Sequence, residues 1–184
     1  HCEISGVTDY KCKDDKECLA TIKDMINRLG DTPKAGFNRV KSKSPSQSIS
    51  NLHGTFPIQR TDNYDVKNII KLLVDDSKFT EYKSEYGKTI VCAYARIDGW
   101  SVGIVANQRQ VVKTKKGEMQ FGGVIYSDSA DKAARFVMIC NQKKIPLVFL
   151  QDVSGFMVGS RSEHGGIIKD GAKLVNAMSN SVVP

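Results

Sequence analysis

Residues 145–173, IPLVFLQDVSGFMVGSRSEHGGIIKDGAK, constrain the fold of this chain more than any other stretch. The run 145–150 is apolar at every position, which predicts a strand covered on both faces, as in a parallel or mixed sheet. It gives way to a polar turn carrying Gly155 and Gly159, then to a helix that opens on Gly165-Gly166. Glycine lets the main chain come close to a ligand, and a helix N-terminus favours negative charge. Strand, turn and helix start together supply an anion or oxyanion site made of backbone, with no catalytic side chain required.

The rest of the chain supplies a frame for that segment. Residues 14–29 read as an amphipathic helix capped by Asp14 or Asp15, with Cys18, Leu19, Ile22, Met25, Ile26 and Leu29 at three- and four-residue spacing, and Gly30 stopping it. Its stripe needs a partner surface. Residues 31–63 are poor in apolar residues and read as a connector, centred on KSKSPSQSIS. Asp65 begins a short helix with Val66, Ile69, Ile70 and Leu73 on one face. Residues 89–97 and 101–107 read as two strands, with Asp98-Gly99 as the hairpin turn. Residues 109–120 read as a polar excursion and 121–126 as a short strand. A helix capped by Asp128 or Ser129 runs to about residue 144 and buries Ala133, Phe136, Val137 and Cys140. After the site turn, the last helix places Ile167, Ile168, Gly171, Leu174, Val175 and Met178 on one face, with Gly171 allowing close approach of another element. Strand, strand, helix, strand, helix is an α/β layout.

Composition excludes some classes. No apolar run approaches the ~20 residues of a membrane-spanning helix. The net charge of +7 comes from dispersed Lys and Arg, with small clusters at 39–43 and 113–116 and no aromatic-interleaved basic motif, so a nucleic-acid role is disfavoured. Cys2, Cys12, Cys18, Cys92 and Cys140 are odd in number and form no CxxC pair, which argues for reduced thiols rather than zinc or disulfides. Cys92 and Cys140 lie in apolar segments and are expected in the core.

Three chemistries can be weighed at the site turn. Ser154 follows a strand with Asp152 and His164 nearby, but DVSGF is not G-x-S-x-G, so a hydrolase triad is disfavoured. Asp152 and Glu163 could form an acid–base pair; the plainer reading is that Glu163 stabilises a helix start and Asp152 ends a strand. Gly155, Gly159, Gly165 and Gly166 match neither G-x-G-x-x-G nor a P-loop, which disfavours nucleotide binding. An oxyanion site built from backbone remains.

The segment FLQDVSGFMVG, read with YDVKNIIKLLVDDSKFTEYKSEYGKTIVCAYARIDGWSVGIVANQ at 64–108 and the opening HCEISGVTDY, resembles the carboxyltransferase β subunit of biotin-dependent acyl-CoA carboxylases, closest to methylcrotonoyl-CoA carboxylase. The resemblance implies a crotonase-like (ClpP/crotonase) β-β-α spiral, here an incomplete copy, since a further strand and a glycine-rich turn follow VP in the family. It implies residues 1–30 as the end of an N-terminal half, 31–63 as a linker, and 64–184 as the front of a C-terminal half. It implies an enzyme that moves the carboxyl group of carboxybiotin, carried on a separate domain or subunit, to an acyl-CoA, stabilising enolates in backbone oxyanion holes while water is excluded.

Carried onto this sequence, the acyl and biotin pocket is expected at Gly155, Phe156, Met157, Val158, Gly159, Gly165 and Gly166. The expected partners are further copies of the subunit, with sites between subunits, and a biotin carboxylase/biotin carrier subunit. The location implied is the cytoplasm of a bacterium or the mitochondrial matrix of a eukaryote. The excursion QRQVVKTKKGEMQFGG departs from the methylcrotonoyl pattern toward propionyl-CoA carboxylase and decarboxylase relatives, whereas GFMVG points back. A non-catalytic module of the same fold is the reading from a different class.

Overall fold

The computed structural model describes residues 10–29, 37–59, 62–114 and 117–184. The chain divides into two compact units, His1–Ala35 and Gly36–Pro184. In the first, helix α1 spans Asp15–Leu29. Asp14 caps it by accepting from Glu17 N at 2.8 Å, while Glu17 accepts from Lys13 N at 2.7 Å, so two end donors are satisfied reciprocally. Leu19, Ile22, Met25 and Ile26 of the expected stripe are exposed. Gly30 and Cys2 lie outside the described residues.

The second unit contains α2 (Leu52–Thr55), α3 (Val66–Leu73), β1 (Phe79–Tyr82), β2 (Ile90–Ile97), β3 (Trp100–Asn107), β4 (Val112–Lys113), β5 (Met119–Gln120), β6 (Val124–Ile125), α4 (Ser127–Gln142), β7 (Leu147–Leu150), β8 (Gly155–Phe156), α5 (Ser160–His164) and α6 (Ile167–Ser179). The main sheet has the order β1-β2-β3-β7. β2 and β3 form the expected hairpin, with Asp98 at φ 49° and Gly99 at φ 77°, the paired positive angles of a two-residue hairpin turn. β7 runs parallel to β3, with Ile104 opposite Val148. The succession β2, β3, α4, β7 is the β-β-α repeat.

Alternation along these strands separates two cores. Ile90, Cys92 and Val105 face α4 and α6 and pack with Phe136, Val137 and Cys140. Val91, Val102, Ile104 and Ala106 face the other way, against Val66, Ile70 and Val74. β7 serves both layers, Leu147 and Phe149 on the first and Val148 and Leu150 on the second. That is why it is apolar at every position. Among the described residues it pairs along its length with β3, and its four residues are half-buried rather than fully covered as the sequence predicts. Its pairing continues at Leu147 N, which donates to Pro184 O at 2.8 Å.

Other boundaries moved for identifiable reasons. α4 starts at Ser127 with Tyr126 in the cap position, because Ser129 Oγ reaches back to accept from Tyr126 N at 2.9 Å. β1 was not anticipated, and residues 37–59 carry more structure than a plain connector. Val40 N donates to Gly99 O and Ser101 N to Asn38 O, at 3.1 and 3.0 Å. Buried Asp75 accepts from Gly99 N at 2.8 Å and Lys43 N at 3.3 Å, which fastens this segment to the hairpin turn. Cys92 and Cys140 are core residues, and burial pushes both thiols up to about 12.

Lys132 on α4 is fully buried, with Nζ 3.4 Å from Gly87 O and 3.9 Å from Glu81 Oε1. Burial holds its pKa below the ordinary 10.5. The unfolded lysine keeps its proton up to about 10.5 while the folded one releases it earlier, so stability rises with pH across that window. Glu81 keeps Lys67 as a partner at 2.6 Å when Lys132 is removed. Lys132→Met is therefore expected to be most favourable relative to the native protein at neutral pH, with its advantage shrinking toward pH 10.5, as read by urea unfolding across that range.

Candidate functional site

The site loop starts where β7 ends and is fixed at its first turn by a second small sheet. β8 pairs in parallel with β6, Val124 opposite Gly155 and Ile125 opposite Phe156. Ser154 N donates to Gly123 O at 2.7 Å, and Met157 N to Ile125 O at 2.8 Å. Gly155 at φ 149°, Gly159 at φ 110° and Gly166 at φ 92° take left-handed angles that other residues rarely adopt. An added Cβ at any of the three meets nothing within 4 Å, so the glycines sit in open space rather than in tight packing.

The ring of Phe156 lies over Gly171 of α6. A Cβ on Gly171 would sit 2.9 Å from Phe156 Cε1, which identifies the element whose approach that glycine permits. The apolar stripe expected on α6 is divided. Ile167, Gly171 and Ala177 are buried, while Ile168, Val175 and Met178 are exposed. Between Phe156, Met157 and Val158 on one side and Ile168 and Val175 on the other lies a largely apolar cavity of about 650 Å³, with Glu163, Asn176 and Ser179 as polar members. A second cavity of about 810 Å³ shares Met157 and Val158 and adds Gly159, Gly165 and the β4–β5 ribbon. Phe156, Met157 and Val158 are thus brought together around one cavity, and Gly159 and Gly165 around its neighbour. Gly155 and Gly166 line neither.

Hydrogen bonding decides which loop donors are committed. Ser162 N and Glu163 N both donate to Gly159 O, at 2.9 and 3.0 Å. Gly165 N donates to Arg161 O and Gly166 N to Glu163 O, at 3.0 and 3.1 Å, so the two glycine N–H groups at the helix start are engaged within the α5 turn. The first α6 bond runs from Asp170 N to Gly166 O at 3.0 Å, leaving Ile167, Ile168 and Lys169 as first-turn donors at the positive end of the helix.

Side-chain chemistry is sparse here. Among the described residues no hydrogen bond joins Ser154 to His164. Asp152 belongs to different company: it accepts from Tyr64 Oη at 2.8 Å and lies 3.4 Å from Arg109 Nε, beside a cavity of about 1110 Å³ that also carries His53 and Ser154. Burial, then the Asp152 carboxylate, push the Tyr64 hydroxyl above its ordinary 10. Neither Tyr64 nor Arg109 is legible as a neighbour of Asp152, because the Tyr64 contact spans 88 positions and both follow from the tertiary fold rather than from a motif.

Comparison with known proteins follows the same lines. A family model described as the carboxyl transferase domain matches residues 1–184. The mitochondrial methylcrotonoyl-CoA carboxylase β chain of Dictyostelium discoideum is 40% identical over 184 residues, covering all of this chain and 29% of that protein. The solved β subunit of P. aeruginosa geranyl-CoA carboxylase superposes with a TM-score of 0.69 at 30% identity, over all of this chain and 33% of that one. The transcarboxylase 12S hexamer, solved with methylmalonyl-coenzyme A bound, superposes with a TM-score of 0.68 at 38% identity, over 94% of this chain and 32% of that one. The chain therefore spans about a third of the length of the relatives it matches.

Proposed function

Because this chain belongs to the carboxyl transferase domain family, we propose that it is part of the carboxyltransferase β subunit of a biotin-dependent acyl-CoA carboxylase, and that its acyl acceptor is 3-methylcrotonoyl-CoA. The observation that carries the reading is the cavity between Phe156, Met157, Val158 and α6. Its apolar walls and few polar members fit a compact bicyclic ring with one polar edge, as biotin has, or a short branched acyl group. Carboxybiotin, when bound, supplies the activated carboxyl group. This chain's own part is to hold and shield. Phe156, Met157 and Ile168 exclude water from the ligand, and the positive end of α6 favours the negative charge that develops on a thioester enolate. Gly155, Gly159, Gly165 and Gly166 give the main chain its shape and leave room for that approach.

The wider assignments belong to the same reading. Residues 1–30 are the end of an N-terminal carboxyltransferase half and 64–184 the front of a C-terminal half, joined through 31–63. Further copies of the subunit complete the site, in line with the 12S hexamer, and a biotin carboxylase/biotin carrier subunit delivers the cofactor. The location follows the source, mitochondrial matrix in a eukaryote, as in the name of the Dictyostelium relative, and cytoplasm in a bacterium. A second substrate reading, a propionyl-CoA carboxylase or an acyl-CoA decarboxylase, is favoured by the excursion that forms β4 and β5 and by the methylmalonyl-coenzyme A bound in the 12S structure.

The test uses the full-length protein with its biotin carboxylase and carrier partner. ATP-dependent fixation of labelled bicarbonate is measured with methylcrotonoyl-CoA, propionyl-CoA and geranyl-CoA, and decarboxylation is measured with the matching products. Highest kcat/KM with methylcrotonoyl-CoA is expected. A preference for propionyl-CoA moves the assignment to the second reading, and no transfer in either direction overturns both.

A further inference from the structure

The polar excursion folds into a small ribbon that reaches the site loop. β4 and β5 pair antiparallel, Val112 opposite Gln120 and Lys113 opposite Met119. Thr114 N donates to Glu118 O at 2.9 Å, and Gly117 N to Thr114 O at 2.9 Å, which closes the ribbon's turn. One side of the ribbon is anchored in the body of the fold. Gln120 is buried, and its Nε2 donates to both carboxylate oxygens of Asp128 at the start of α4, each at 3.3 Å. Phe121 N donates to Tyr126 Oη at 3.0 Å. From the other side Glu118 forms an ion pair with Arg161 of α5.

The site loop has little else to hold it. The backbone bonds of 158–166 are local to that stretch apart from Gly166 O, which accepts from Asp170 N of α6. Gly159 and Gly166 have open space where a Cβ would be, and Val158 is 77% exposed. Among the described residues, the Glu118–Arg161 pair is the single side-chain hydrogen bond or ion pair that 158–166 makes to any residue outside it. Thr114, Met119 and Phe121 also face Met157, Val158 and Gly159 across the second cavity. We propose that the β4–β5 ribbon is a latch that positions the site loop, with Glu118 and Arg161 as positioning residues. The ribbon carries rigidity from the buried Gln120–Asp128 anchor to α5, and through α5 to Gly159 and the Met157–Val158 wall. The proposal rests on the carboxyltransferase reading for its effect on turnover, and on geometry alone for its effect on the loop.

The test uses the full-length protein with its partner subunits, carrying Glu118→Lys, Arg161→Glu, or the swap Glu118→Arg with Arg161→Glu. In each single variant kcat is expected to fall by about three- to five-fold, the range open to an exposed ion pair, with KM for the acyl-CoA little changed. Amide hydrogen exchange over 157–166 is expected to quicken by a similar factor while the unfolding midpoint stays put. The swap is expected to recover both quantities. Single variants with native turnover and native exchange overturn the proposal, as does a swap that recovers neither. A fall in kcat with unchanged exchange also overturns it, since that places Arg161 against the ligand instead. If the native protein transfers no carboxyl group, the functional reading fails, and the exchange comparison still decides the latch.

Discussion

On the carboxyltransferase reading, replacing Gly171 by valine in the full-length protein is expected to cut carboxyl transfer by about ten- to a hundred-fold, out of proportion to its effect on folding. Gly171 lies in the second turn of α6 at ordinary helical angles, so the backbone itself accepts a side chain there. What stands in the way is Phe156: a Cβ would lie 2.9 Å from Cε1 and 3.3 Å from Cζ of its ring. The ring must swing out, and with Met157 and Val158 it forms the wall that faces Ile168 and Val175 across the 650 Å³ cavity. The atoms met are the outer end of an exposed ring that can turn toward solvent, so the cost in stability stays at or below about 1 kcal/mol, the low end for core overpacking. Displacing a wall by about an ångström is the sort of misplacement that costs a hundred-fold in rate. Gly171→Ala is expected to fall between native and valine. Phe156→Leu added to Gly171→Val should restore part of the rate by vacating the space the ring held. Steady-state kinetics with methylcrotonoyl-CoA beside urea unfolding separates the two effects, and a valine variant with native turnover would show that this cavity is not where the chemistry happens.

The contrast between Gly171 and its neighbours shows what the sequence can and cannot say. Helical spacing put Ile167, Ile168, Gly171, Leu174, Val175 and Met178 on one face, and they do share a broad face. Periodicity carries no record of which half of such a stripe meets the body of the protein, and the split between buried Ile167 and exposed Ile168 is a matter of tertiary packing. The same limit applies to β7. Its unbroken apolar run follows from packing on both faces, which composition can express, whereas its parallel pairing with β3 is a matter of strand order, which it cannot. Local signals are legible only in part: Asp14 caps its helix and Asp98-Gly99 turns the hairpin, whereas the cap expected at Asp128 or Ser129 falls at Tyr126. The two-residue strands β4, β5 and β8 are too short for any period to register. The Tyr64–Asp152–Arg109 cluster and the Glu118–Arg161 latch join residues dozens of positions apart, so nothing in either neighbourhood announces the other.

Gly166 tests the glycine side of the site. At φ 92° and ψ 24° it caps α6 in the left-handed region, where a β-branched residue is under the greatest strain. Gly166→Val is expected to lower stability by about 1–3 kcal/mol. Its Cβ would meet no protein atom within 4 Å, so collision inside the fold is not the reason for glycine at this position. Two reasons remain, the backbone angle and the approach of a ligand to the main chain, and they separate with asparagine. Asparagine tolerates left-handed angles far better than valine, so Gly166→Asn should recover most of the lost stability. If the ligand comes close to the main chain here, asparagine still places a side chain in its path. Carboxyl transfer is then expected to be down about a hundred-fold in the valine variant and at least about ten-fold in the asparagine variant. Thermal unfolding of both variants, set beside their kcat and KM for methylcrotonoyl-CoA, gives the answer. An asparagine variant with native kinetics would reduce Gly166, which lines neither cavity, to a helix cap with no ligand against its main chain.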